Sequence, residues 1–247
     1  MNGNAAEDLL LLQGIYKNFG GLHVLQDLNL RIGRAEIVGL IGPNGAGKST
    51  TFNIITSFYS PSQGSVLFDG EDITGLGPHT VCHRGIARTF QLVKTFLKMT
   101  VLENVTVGAV FGQGGRGGDK KKDALQALAM VGLAGKKDTL VAHLTLSDRR
   151  LLEIAMALAS RPSLILLDEP MAGLNTAEII NLLTVIQHAR DERRLSVLWI
   201  EHKVDAVLDF CERVMVLDYG SLIADGTPDE VASNPQVIEA YLGEAAA

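Results

Sequence analysis

Residues 36–52 read EIVGLIGPNGAGKSTTF, and the fold follows from them. The apolar run over 36–41 has the length of a buried strand. It leads straight into a glycine-rich turn, after which the pattern over 48–58 becomes helical. The turn, Gly42-Pro43-Asn44-Gly45-Ala46-Gly47-Lys48-Ser49, has the spacing G-x-x-x-x-G-K-[ST] between strand and helix. Glycines let a backbone curl until its N–H groups point at phosphate oxygens, and the following helix adds its positive N-terminal end. From there the Lys48 ammonium can reach β and γ phosphates, and the Ser49 hydroxyl, with Thr50 next to it, can serve a divalent cation and phosphate. A plain glycine-rich turn would not need the Lys-Ser pair.

Downstream, strands alternate with helices. Strands are expected over 163–168, 195–201 and 213–218, with helices over 176–194 and 203–210. Short strands over 9–15 and 23–32 precede the turn, and a strand at 65–68 enters a hairpin at Asp69-Gly70. The segment 91–158 reads as helical, interrupted only by a glycine-rich loop over 112–118, and two short helices are expected over 229–243. This order predicts an α/β fold, a parallel sheet with covered faces and an inserted helical lobe.

The run Leu164-Ile165-Leu166-Leu167-Asp168-Glu169-Pro170 is a buried strand ending in two carboxylates. Ligands of α/β sheets gather at the carboxyl ends of strands. There Asp168 can hold Mg²⁺ through water, and Glu169 can orient or deprotonate an attacking water. An acidic pair at a strand end is common by itself; behind a phosphate loop it carries more weight.

Composition narrows the classes. The chain has 247 residues, 47% hydrophobic and 20% charged, as expected of a folded protein. Its apolar runs fall short of the roughly 20 residues a bilayer span needs. Glu7 and Asp8 stand where a signal peptide would be basic, so a soluble, cytoplasmic chain is expected. A net charge of −6 and a pI near 5.5 disfavour a nucleic-acid partner. The basic run Lys120-Lys121-Lys122 reads as a solvated helix start, and Cys82 and Cys211 lack metal-ligand spacing.

Together these motifs resemble ATP-binding cassette (ABC) ATPases along almost the whole chain. The resemblance implies a P-loop NTPase cassette with a parallel core sheet, an antiparallel β subdomain and an inserted helical subdomain, binding ATP and Mg²⁺. Gln91 stands where the family has its switch glutamine, which senses the γ-phosphate and the metal. His202 stands at the switch histidine, and Phe19 at the aromatic that stacks on adenine. The segments Gly85-Ile86-Ala87-Arg88-Thr89-Phe90-Gln91, Met99-Thr100-Val101-Leu102-Glu103-Asn104-Val105, Ala172-Gly173-Leu174-Asn175 and Val237-Ile238-Glu239-Ala240-Tyr241-Leu242-Gly243 resemble importers of branched-chain amino acids and related small solutes.

One departure stands out. The helix with Glu153-Ile154-Ala155 puts the family's L-S-G-G-Q signature at Leu144-Thr145-Leu146-Ser147-Asp148. Thr145 keeps the hydroxyl, while Ser147 replaces the second glycine and Asp148 the glutamine. In the family this segment reaches the γ-phosphate held by a partner cassette, so Thr145 and Ser147 join the nucleotide-binding set. A side chain at 147 crowds that approach, and a carboxylate at 148 brings repulsion. Two readings stay open: a signature that serves its partner poorly, or tolerated variants of little effect.

The expected organisation is one ATPase domain over 8–245, with a nucleotide-binding core over 8–90 and 160–228, a helical subdomain over 91–159 and C-terminal helices over 229–245. The resemblance implies a second cassette as partner, like or unlike. It also implies a membrane permease docking near Gln91 and, indirectly, a periplasmic solute-binding protein, which would place the chain on the inner face of the membrane. The alternatives are an exporter ATPase for lipid or polysaccharide, and a soluble cassette outside transport.

Overall fold

In a computed structural model, residues 8–91, 93–112 and 119–245 are described. The chain opens with β1 (Asp8–Phe19), β2 (Leu22–Gly33) and β3 (Ile37–Ile41), followed by α1 (Lys48–Ile55), β4 (Gln63–Phe68) and β5 (Glu71–Asp72). Next come α2 (Pro78–Arg84), β6 (Ile86–Arg88), α3 (Val101–Phe111), α4 (Lys120–Met130), α5 (Leu146–Ala159), β7 (Leu164–Asp168) and α6 (Thr176–Arg193). The last stretch is β8 (Ser196–Ile200), α7 (Val204–Phe210), β9 (Arg213–Asp218), β10 (Ser221–Gly226), α8 (Pro228–Ala232) and α9 (Pro235–Ala245). The chain divides into two units, residues 1–78 with 196–247 and residues 79–195.

The first unit holds an antiparallel sheet in the order β2-β1-β4-β5 and the run β10-β9-β3-β8. In that run β3 pairs parallel with both β8 and β9, and β10 folds back antiparallel on β9. All five residues of β3 and of β8 are buried, which is why both read as unbroken apolar runs. Trp199, on β8, is fully buried and meets Phe210 of α7 edge to face at 5.5 Å. The apolar side chains of β1 point to a second buried layer through Leu10, Leu12 and Ile15.

The second unit pairs β6 parallel with β7 and packs α3, α4 and α5 against one another. Helix α3 touches α5 through Gly108, where an added Cβ would lie 2.0 Å from the Met156 carbonyl oxygen. Only glycine lets two helix backbones come this close.

The helical reading of 91–158 needs correction. Residues 93–99 form no helix, and between α4 and α5 there are only two 3₁₀ turns, at Ala134–Lys136 and Val141–His143. Helix α5 starts at Leu146, inside the signature segment. Strands β1 and β2 are longer than expected, and α2 and β10 are additional. Residues 113–118 of the expected glycine-rich loop, and Glu7, lie outside the described residues. Among the described residues, no helix is long and apolar enough to cross a membrane.

Candidate functional site: a phosphate cradle and an acidic switch

In the first unit the chain leaves β3 and turns back on itself through residues 42–47 before entering α1. Gly42 and Gly47 adopt φ of +147° and +104°. A Cβ at Gly42 would lie 2.0 Å from the Leu217 carbonyl oxygen, and one at Gly47 would lie 2.6 Å from Leu25 Cδ2. Both positions therefore need glycine for conformation and for space. No acidic residue occupies the first turn of α1, so its positive end stays available to an anion. Lys48 is buried, and its Nζ donates to the carbonyls of Gly42 (2.6 Å) and Pro43 (2.9 Å), lying across the loop. Ser49 is exposed and Thr50 half-buried beside it. A cavity of about 660 Å³ opens beside the loop, lined by Pro43, Asn44, Gly45, Ala46, Asp218 and Glu239 among others. Its two acids make it a poor match for a polyphosphate.

Phe19 ends β1 and is 41% exposed. Two neighbours escaped the sequence reading. Tyr59 meets its ring edge to face at 5.2 Å, and the Lys17 ammonium lies 4.8 Å from its centroid while donating to the Ser60 carbonyl. These contacts hold the ring upright, with surface left for a flat heterocycle. His202 lies two residues after the end of β8 and is exposed; its backbone N–H donates to the carboxylate of Glu201, which is buried.

In the second unit, β7 delivers Asp168 and Glu169 at its carboxyl end. Glu169 adopts a left-handed φ of +48°, a conformation that costs a non-glycine residue about 1–3 kcal/mol and is typical of functional positions. Its Oε2 accepts a hydrogen bond from Gln91 Nε2 at 2.9 Å, so two groups 78 residues apart in sequence come together here. Asp168 is tied differently. Its Oδ2 accepts from Arg88 Nη2 at 2.8 Å, with both side chains only 8% exposed. Its backbone N–H donates to Thr89 Oγ1. The Arg88 partnership was invisible in the sequence, although Arg88 stands in the segment that resembled the importers.

Ser49 and Asp168 offer hard oxygen donors of the kind Mg²⁺ takes. No cluster of three His, Cys, Asp or Glu side chains suited to a metal exists among the described residues. Arg88 supplies the cationic companion that a carboxylate this deeply buried needs.

The segment 144–148 lies at the start of α5. Thr145 is the helix N-cap, its Oγ1 accepting the Asp148 N–H at 3.1 Å. The Asp148 carboxylate is not an isolated charge: Lys136 Nζ lies 2.6 Å from its Oδ2. A counter-charge for this position therefore stands within the same unit. Ser147 is half-buried.

The pattern of the ABC transporter family matches residues 25–172, more than half of the chain, and that of the C-terminal region named for branched-chain amino acid ATP-binding cassette transporters matches residues 221–247. A high-affinity branched-chain amino acid transport ATP-binding protein of Pseudomonas aeruginosa, BraF, is 38% identical, over 96% of this chain and 98% of its own. Among solved structures, the ADP conformation of MJ1267, an ATP-binding cassette of an ABC transporter, superposes with a TM-score of 0.87 at 30% identity, over 96% of this chain and 99% of that one. The dimeric bacterial cassette MJ0796 superposes with a TM-score of 0.78 at 26% identity, over 89% and 98%. With a phosphate cradle, an acid-ended strand and full-length similarity of this kind, the chain belongs to the ABC transporter family as one of its ATP-binding cassettes.

Proposed function

We propose that the chain is the ATP-hydrolysing motor subunit of an importer for branched-chain amino acids or related small solutes. The observation that carries the ATP chemistry is the cradle: two obligatory glycines, an acid-free helix start and Lys48 laid across the loop. In this reading the loop 42–50 holds the phosphates through Lys48 and the backbone N–H groups of its residues other than Pro43, which shapes the turn, and Phe19 stacks on adenine. Ser49 and Asp168 hold Mg²⁺, with Gln91 as a further ligand. The bound ion would neutralise charge on the transferring phosphate. Glu169 orients the attacking water and accepts its proton, and His202 meets the γ-phosphate. Thr145 and Ser147 serve the nucleotide of a second cassette. The acceleration comes from positioning and charge stabilisation rather than covalent chemistry.

The transport role is supported by BraF, a branched-chain amino acid transport protein, and a dimer by the dimeric MJ0796. A permease would dock on the stretch after Gln91, where Phe96 and Leu97 are 49% and 47% exposed. Asn104, fully buried, holds Phe96 by accepting its N–H at 2.8 Å and donating to its carbonyl at 3.1 Å. This fixed apolar ledge suits a cytoplasmic loop of a membrane protein, and in this reading the chain works on the inner face of the membrane beside a permease fed by a periplasmic binding protein. The test is transport by the purified chain reconstituted with its permease. Uptake of leucine should require ATP and fall to background with Glu169→Gln; uptake of no amino acid despite ATP turnover would overturn the cargo.

A further inference from the structure

The stretch that carries Gln91 is gripped by one helix at both of its ends. Arg150 and Glu153, on successive turns of α5, are each 7% exposed. Arg150 Nη2 donates to the Gln91 carbonyl at 2.9 Å and Nη1 to the Phe90 carbonyl at 3.3 Å. Three residues on, Glu153 Oε1 accepts the Lys94 N–H at 2.7 Å. Arg150 Nη1 also lies 3.6 Å from Glu153 Oε2, so acid and base steady each other while holding the loop. Backbone groups at 90, 91 and 94 thus find partners on a helix rather than in a helix of their own. From this anchored backbone the Gln91 amide reaches Glu169. The N-terminal end of α5 is the segment 144–148.

We propose that Arg150, braced by Glu153, is a positioning residue for Gln91, so that α5 links the signature segment to the switch glutamine and through it to Glu169. The inference rests on the roles given above to Gln91 and Glu169. A guanidinium suits the task because its planar fork reaches two adjacent carbonyls at once, which a lysine cannot do. Removing it leaves both carbonyls without that donor and lets the Gln91 amide wander. Small misplacements of that order in a catalytic arrangement cost up to about 100-fold in rate.

The test is a double-mutant cycle on ATP turnover, with circular dichroism verifying the fold of each variant. Arg150→Met should lower kcat about tenfold while KM for ATP stays within about twofold. In a Gln91→Ala background, already slow, the same substitution should cost less than about twofold, because it acts through the side chain that is gone. Arg150→Lys should recover part of the loss and serves in the cycle if Arg150→Met does not fold. Equal losses in both backgrounds would overturn the proposal, since Arg150 would then act without Gln91. So would unchanged turnover in Arg150→Met or in Gln91→Ala, provided Glu169→Gln is inactive. If Glu169→Gln itself turns over normally, the underlying site assignment fails, and that result is distinct from the others.

Discussion

Arg88→Met isolates the electrostatic logic of the acidic switch. It keeps most of the aliphatic bulk and removes the cation 2.8 Å from Asp168, where both side chains are 8% exposed. Water cannot take over that role at such burial, so the substitution leaves a carboxylate desolvated and uncompensated. Taking away one member of a buried pair costs about 3–5 kcal/mol. For a chain of this size that lowers the melting temperature by roughly 6–20 °C. Circular dichroism melts of wild type, Arg88→Met and Arg88→Lys should fall in the order wild type, Lys, Met. If Asp168 holds Mg²⁺ as proposed, ATP with Mg²⁺ brings a second cation to it, and its stabilising effect should be larger on Arg88→Met than on wild type. A variant melting within 2 °C of wild type would refute the claim that Arg88 neutralises Asp168; the same Mg²⁺-ATP increment in both would refute the claim that the ion serves this carboxylate.

Two further outcomes follow from charge placement in the second unit. Burial pushes the Glu153 carboxyl up from 4.5 to about 7, against the opposing pull of the Lys94 N–H and Arg150. The folded state therefore holds this proton more tightly than the unfolded chain. The stabilising contribution is complete below about pH 4.5 and is lost as pH rises through 7, at most about 3 kcal/mol. Glu153→Gln should remove that slope from a urea-denaturation series between pH 5 and 8; an unaltered slope would assign it to other groups. At the signature, Lys136→Ala strips Asp148 of its counter-charge. The pair is half exposed on the lysine side, so the effect is within about 1 kcal/mol, a fall in turnover of at most about fivefold. Adding Asp148→Gln should restore it. Asp148→Gln alone in the wild type should then raise turnover only modestly; a jump well beyond fivefold would mean that Lys136 does not offset the acid.

The phosphate loop and the acid-ended strand were legible because their chemistry is local: glycines that must turn, a lysine at a helix start, carboxylates at a strand end. β3, β7 and β8 were equally plain, each a short apolar run buried at every position. The stretch 91–99 was misread for a tertiary reason. Its apolar residues have helical spacing, but Arg150, Glu153 and Asn104 claim the backbone groups a helix would have used. β10 and α2 carry too little periodicity to announce themselves; α2 buries only Val81. Arg88 with Asp168, 80 positions apart, and Lys136 with Asp148 are pairings no local pattern encodes. The altered signature was visible in the sequence, whereas its compensating lysine emerged only from the fold.

The account stands most directly on ATP hydrolysis by the purified chain, titrated over protein concentration, alongside Glu169→Gln. The predicted result is a turnover per subunit that rises with concentration and disappears in Glu169→Gln, which still binds ATP. Undiminished turnover in Glu169→Gln, or failure of the wild-type chain to bind ATP, would contradict it.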